Sequence, residues 1–308
     1  MREDLSADLA LAAELGGEMG RRFSSFDWAS HPLGPPQDWS PGARVVVAMA
    51  LTSRFPIVLW LGERLFLIYN DAYLPVLGEK HPAGLAAPGR EVWAELWDVI
   101  GPMLEGVMAS GVATWSDDLM LPVITDGRPQ ERYFTFTYSP IPTEAGSIEG
   151  IFCAVDETTE RVLSEGRLEM LNDLAAALID SDSEDAAVEA ALQVCGARPA
   201  DLPFVAIYLA DPVDSDRIRL RGTTSPVKDL VEARYPTLAS WHLPEGGGAQ
   251  VVGGLIGRLP ELRQVFGDAA PDDALMVPVT GGLPGRVDGS LVIGINPRRP
   301  LDDRYRLF

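Results

Sequence analysis

A short apolar run, Gly150-Ile151-Phe152-Cys153-Ala154-Val155, ends in Asp156-Glu157-Thr158-Thr159, and a charged segment with an apolar stripe follows at once. The first run has the length and content of a buried strand. The second carries Val162, Leu163, Leu168, Leu171, Leu174 and Leu178 at helical spacing. A chain built this way must pass from sheet into helix within about four residues. Asp and Thr side chains at such a junction can hydrogen-bond donors around the strand end and the first helical turn. A carboxylate there also lies favourably against the positive end of the helix dipole. The junction suits a sensor that passes strain from a sheet to a helix.

The 308 residues allow two domains, each with its own core. Hydrophobic residues make up 46% of the chain and include seven Trp, which argues for folded rather than disordered matter. Acidic residues outnumber basic ones 45 to 25, a formal charge of −20 that repels nucleic acid and excludes it as a direct partner. The two cysteines, Cys153 and Cys195, lie in separate apolar surroundings, so neither a disulfide framework nor a zinc knuckle is expected. The longest apolar stretch, Val45 to Leu51, is far too short to span a membrane, and the N-terminal residues carry no signal-peptide core. A cytoplasmic location is expected.

Along the chain, residues 5–19 read as an amphipathic helix rich in Ala, Leu and Glu. A Pro- and Trp-rich strap follows, and Ser40-Pro41 opens a helix to about Thr52. Residues 1–53 thus form a helical lead-in. Strands are expected at Ile57–Leu61, Leu65–Tyr69, Ala113–Val123, Arg132–Ser139 and Ile148–Val155, with short helices between about 70 and 110. Residues 54–158 therefore form an α+β domain, a five-stranded antiparallel sheet with helices on one side. A linker helix occupies 159–180. A second α/β unit spans 181–308, with a helix over Glu184–Gly196 and strands at Pro203–Leu209, Ile218–Arg221, Ala274–Val279 and Gly289–Ile295. Residues 222–273 are rich in Gly and Pro and show weak periodicity. The last residues, Leu301 to Phe308, read as a helix start without a body, so a longer parent protein is expected.

The first half resembles the PAS sensor fold found at the front of bacterial sensor histidine kinases and related PAS-GAF phosphatases. The matching residues are Tyr69-Asn70-Asp71-Ala72-Tyr73, Leu77-Gly78-Glu79-Lys80-His81-Pro82, Glu91-Val92-Trp93, Tyr133 to Pro140 and Asp156-Glu157-Thr158-Thr159, with Pro32-Leu33-Gly34-Pro35 and Trp39 upstream. The second half is similar to a GAF domain, through strand order and the Pro203-Phe204 strand opening. The resemblance implies a sensory module without catalysis of its own, the input region of a histidine kinase or of a PP2C-type serine phosphatase. It also implies that Asp156 and Thr158 couple the last strand to the helix. The residues for a bilin, a flavin adduct or a cyclic nucleotide are missing from their motifs, and no cofactor is expected.

Trp60, Tyr69, Asn70, Tyr73, His81, Trp93, Trp97, Tyr133 and Tyr138 are the candidate ligand pocket. Their polar tips would orient a small planar or acidic molecule. The alternative is that the aromatics fill a core, that Asn70 and Asp71 cap a helix, and that the pocket is empty, the chain then being a ligand-free dimerisation or interaction module. His81 could ligate haem or sense pH, but no second His or Cys stands at useful spacing. His31 and His242 read as packing or surface residues. The glycine runs 246–248 and 281–282 lack the residues of a phosphate loop, and the three His offer no catalytic set and no metal site. The stripe on 159–180 could pair with a twin helix in a homodimer or cover its own domain.

Overall fold

Gly16-Gly17 interrupts the first helical pattern, and the computed structural model shows what the interruption allows. It describes residues 7–125, 127–211, 214, 217–241, 248–280 and 287–299. The features expected at His242, 246–247, 281–282 and 301–308, and most of the turn at 211–216, lie outside the described residues. The single helix expected over residues 5–19 is two helices, α1 (Ala7–Leu15) and α2 (Gly17–Ser25). Gly17 has φ +64°, a conformation that favours glycine. A Cβ on Gly20 would meet the Ala13 carbonyl oxygen at 2.1 Å, so the two helices approach through bare backbone. The amide groups of Glu18 and Met19 donate to the Asp71 carboxylate at 2.9 and 2.7 Å, which caps α2 from a distant part of the chain.

Helix α3 (Pro41–Thr52) starts as expected: Ser40 Oγ accepts from the Ala43 amide, and Pro41 occupies the first turn. Strands β1 (Ile57–Leu61) and β2 (Phe66–Tyr69) follow, then the short helices α4 (Leu74–Leu77) and α5 (Gly89–Val92) and the long α6 (Trp97–Ser110). Gly111, left-handed at φ +67°, closes α6 by donating to the Val107 carbonyl. Strands β3 (Thr114–Thr125), β4 (Arg128–Pro142) and β5 (Ile148–Glu157) complete an antiparallel sheet in the order β2-β1-β5-β4-β3. β3 and β4 are longer than their apolar cores suggest. Thr125 pairs with Arg128 across a two-residue turn, with Gly127 at φ +69°. A bulge between Ser116 and Leu119 leaves Asp117 and Asp118 out of the ladder, with Asp118 at φ +46°.

Helix α7 (Thr159–Ile179) leaves β5, and the division between the two compact units falls after Val162. The second unit continues with α8 (Glu184–Gly196), β6 (Val205–Ala210), β7 (Ile218–Thr223), α9 (Lys228–Arg234), β8 (Gln250–Val252), α10 (Leu255–Arg258), α11 (Leu262–Phe266), β9 (Ala274–Thr280) and β10 (Val287–Gly294). Its antiparallel sheet runs β7-β6-β10-β9-β8. Period-two alternation along β6 separates two cores. Val205 and Ile207 pack with Met170 of α7 and with Val188 and Cys195 of α8. Ala206 and Tyr208 pack on the other side with Val231, Trp241, Leu255 and Leu262. The fold is α+β, with two five-stranded antiparallel sheets and helices against them. Among the described residues, no helix is long and apolar enough to cross a membrane.

Candidate functional site

The alternation of β4 decides which of its aromatics share a face. Phe134, Phe136 and Tyr138 are buried on one side, and Tyr133, Thr135 and Thr137 are half-buried on the other. Beneath the buried side lies a cavity of about 40 Å³, walled by the sheet and by the segment from Trp93 to Ile100. Trp60, Tyr73, Trp93, Tyr138 and Cys153 line it together with Val, Leu, Ile and Phe side chains. Burial pushes the Tyr73 and Tyr138 phenols well above their ordinary range and raises the Cys153 thiol, so all three are neutral at physiological pH. The indole N–H groups of Trp60 and Trp93 are buried and have no hydrogen-bond partner among the described residues. Buried donors are nearly always satisfied, and an orphan costs about 1–3 kcal/mol. Both side chains line the cavity.

Of the nine residues expected around a pocket, four therefore meet at the cavity and five stand elsewhere. Tyr133 lies on the opposite face of β4, five positions from Tyr138, an odd separation that the strand period alone converts into opposite faces. Asn70 is fully buried and spends all four bonding positions on backbone: its Oδ1 accepts from Ile57 and Tyr73 amides, and its Nδ2 donates to the Ser53 and Phe55 carbonyls. It caps the turn at Asp71–Tyr73 and staples that turn to the start of β1. Trp97 packs over Gly101, with the Arg90 guanidinium 5.7 Å from its ring centre. Tyr69 and His81 belong to a polar chain. Tyr69 Oη lies 3.1 Å from His81 Nδ1, and His81 Nε2 lies 3.0 Å from Glu18 Oε1, which also binds Arg22. Arg22 and then His81 hold the Glu18 carboxyl below its usual range, while burial pushes the Tyr69 phenol up to about 12. In the neutral imidazole, Nε2–H donates to the carboxylate and Nδ1 accepts from the phenol. This chain ties α2 to the segment after α4. It does not open on the cavity.

The junction that begins α7 is built around a residue the sequence did not single out. Thr158 is 7% exposed, and its hydroxyl donates to Asp118 Oδ1 at 2.6 Å. Arg161, in the first turn of α7, reaches the same oxygen at 2.5 Å. The Asp118 amide donates to Thr135 Oγ1, whose hydroxyl hydrogen is directed to Asp117 Oδ1 at 3.0 Å. Tyr133 contributes through its backbone, its carbonyl accepting from the Thr158 amide and its amide donating to Thr159 Oγ1. Asp156 is exposed and stands opposite Thr135 in the β4–β5 register. The carboxylate that holds Thr158 is that of Asp118. The Thr158 hydroxyl first, then Arg161, keep the Asp118 carboxyl below its ordinary range. One side chain from the β3 bulge thus gathers β4, the exit of β5 and the first turn of the helix.

In the second unit the buried aromatics satisfy one another. Trp241 Nε1 donates to Tyr208 Oη, which donates to the Tyr235 carbonyl, each at 2.9 Å, and Tyr235 stacks on Trp241 at 4.0 Å. Among the described residues no group of three or more His, Cys, Asp or Glu could hold a metal ion.

No protein-family model and no curated protein matches the chain. Solved structures to which it is similar include PAS, GAF and phytochrome chromophore-binding domains. The PAS domain of BvgS from Bordetella pertussis is 24% identical over 39% of this chain and 88% of its own, with a TM-score of 0.29. The GAF domain of an Acinetobacter phosphoenolpyruvate-protein phosphotransferase is 18% identical over 46% and 84%, with a TM-score of 0.30. The wild-type chromophore-binding domain of a Stigmatella aurantiaca phytochrome is 13% identical over 84% and 90%, with a TM-score of 0.31. At these identities and TM-scores the likenesses carry no argument about activity. The fold class rests on the two sheets themselves.

Proposed function

We propose that the chain is the sensory region of a cytoplasmic signalling protein, in which occupancy of the first unit's cavity is reported to α7 through Asp118, Thr158 and Arg161. One observation carries this reading: the strands that line the cavity also build the junction. Leu121 and Val123 of β3, Phe136 and Tyr138 of β4 and Cys153 and Val155 of β5 face the cavity. The same three strands supply Asp118, the Tyr133 backbone and the exit to Thr158. A ligand that shifts those strands changes the geometry at the first turn of α7. The output at the far end of the relay is a histidine kinase in this reading, and a serine phosphatase is the second possibility. Pairing of two copies through α7 is part of the proposal. Leu168, Leu171, Ala175 and Leu178 follow the 3-4-3 spacing of a coiled-coil seam. The three leucines are 61%, 44% and 42% exposed, while Met170 on the other side of the helix is buried in its own unit.

The relay is tested with Thr158→Val, which keeps the side-chain shape and removes the hydroxyl. The variant is expected to fold with an unchanged far-ultraviolet spectrum, while amide exchange in the first turn of α7 accelerates severalfold. Unaltered exchange there removes Thr158 from the relay.

A further inference from the structure

Both ring nitrogens of His31 are committed, and in opposite senses. Nε2 lies 2.9 Å from the Ala86 carbonyl oxygen, which can only accept. Nδ1 lies 3.2 Å from the Leu33 amide nitrogen, which can only donate. The two contacts together require a neutral imidazole with its proton on Nε2. We propose that His31 is an acid-sensitive latch on the Pro- and Trp-rich strap, holding the turn at 32–34 closed while neutral and releasing it when Nδ1 takes up a proton. The latch needs neither the cavity nor the α7 junction.

Two segments distant in sequence meet at this ring. On the strap, the His31 amide donates to the Trp28 carbonyl and the Gly34 amide to the His31 carbonyl. Trp39 Nε1 donates to the Leu33 and Gly34 carbonyls at 2.9 and 3.1 Å, so Leu33 is held through its amide by His31 and through its carbonyl by Trp39. Ala86 belongs to a stretch that seals the edge of β2. Its amide donates to the Leu67 carbonyl, and the Leu67 amide donates to the Ala87 carbonyl. Ala86 has φ +59°, a left-handed backbone that a residue with a Cβ keeps only where its surroundings enforce it. The imidazole stands edge-on to Phe26, Trp28 and Phe66, with ring centres at 5.6, 5.6 and 4.5 Å.

Protonation breaks one side of this arrangement. A proton on Nδ1 points a second donor at the Leu33 amide, which loses its acceptor. Nε2–H keeps Ala86, so the break falls within the strap, at Leu33. Burial lowers the imidazole below its ordinary value; the Ala86 carbonyl opposes that shift and the Arg64 guanidinium adds to it. Arg64, in the β1–β2 turn, lies over Phe66 and is paired with Glu91 of α5 at 3.0 Å. Glu63 beside it is exposed, and Arg90 of α5 lies over Trp97. β2 and residues 84–88 contain no charged residue. On the strap, the Asp27 carboxylate accepts from the Ser30 hydroxyl at 2.6 Å, which holds it below its usual range.

The folded form thus takes the proton less readily than the unfolded one, and acid favours release. The latch is complete above about pH 6.5, the ordinary histidine value, and is lost as the pH falls through the lowered value of His31.

The test follows the full chain by NMR from about pH 8 to about pH 4.5. ¹⁵N-labelled histidine reports the ring tautomer, and the exchange protection factor of the Leu33 amide reports the latch. His31→Asn is the comparison, because an Asn carbonyl can accept from the amide two residues on and does not titrate. It also assigns the His31 signals apart from those of His81, which is bonded to Glu18 and Tyr69, and of His242. At neutral pH the His31 ring is expected as the Nε2–H tautomer. Leu33 protection is expected to fall about tenfold as His31 titrates, the loss of one hydrogen bond, and less than about twofold in His31→Asn. Protection that stays flat in the unsubstituted chain, or falls equally in His31→Asn, overturns the latch. If the variant does not fold, the unsubstituted chain decides: an Nδ1–H tautomer at neutral pH, or Leu33 protection that does not follow the His31 titration, overturns it.

Discussion

Asn70 and Asp118 show how differently two polar residues can be used in one domain. Asn70 is buried, and its amide is saturated by four backbone partners, so its role is to hold β1 against the turn after β2. Replacing it by Ala removes all four bonds and takes from the buried Ile57 amide its acceptor on Asn70. Asn70→Ala is expected to cost about 3 kcal/mol, read from the denaturant midpoint, and a loss under about 0.5 kcal/mol would contradict the saturated geometry. Asp118 instead sits at a bulge with left-handed backbone, where its carboxylate serves groups from other strands and from α7. Backbone in that region costs energy unless the surroundings enforce it, and such positions collect at functional sites. The adjacent pair Asp117-Asp118 was plain in the sequence, but nothing local distinguishes a bulge aspartate from a solvated one. Its partner Thr158 lies forty residues away, beyond the reach of periodicity. The Asp-x-Thr pattern sets Thr158 beside Asp156, whereas the carboxylate bonded to its hydroxyl is that of Asp118, because a sequence displays neighbours along the chain and the contact runs across the sheet.

At the scale of elements, apolar spacing was enough to find α3, α8, the strands of the first sheet and the 159–179 helix, whose caps and stripes are local. It was not enough for α1 and α2, where Gly16-Gly17 carried the signal for a break and the Ala-rich composition concealed it. Residues 222–273 were opaque for another reason. Their helices have four to seven residues and β8 has three, too short for a period to repeat. Strand parity could have separated Tyr133 from Tyr138, whereas the departures of Tyr69, His81 and Trp97 from the cavity depend on tertiary contacts. Helix α7 presents two faces with different fates. Its outward stripe makes a direct prediction: Leu171→Asp with Leu178→Asp is expected to turn a sedimenting dimer into a monomer without changing the melting temperature by more than a surface substitution does. A doubly substituted protein that still sediments as a dimer would show that another surface pairs the copies.

For the whole molecule, the acidic surface, the neutral cavity and the polar junction belong to different tasks. The chain carries a formal charge of −20. No charged side chain is in the cavity lining among the described residues, whereas the junction brings the Asp118 carboxylate and the Arg161 guanidinium together. The central claim is that cavity and junction are energetically linked although they are separate in space. Cys153 faces the cavity and Thr158 faces Asp118, so substitutions at the two positions should act independently unless the strands between them respond as one. The most direct measurement is a double-mutant cycle of Cys153→Leu, which fills the cavity, with Thr158→Val, read as amide exchange in the first turn of α7. The account predicts that filling the cavity alters that exchange in the wild-type background and loses its effect when Thr158 is Val, a coupling of roughly 0.5 kcal/mol or more. Additive effects of the two substitutions would contradict it.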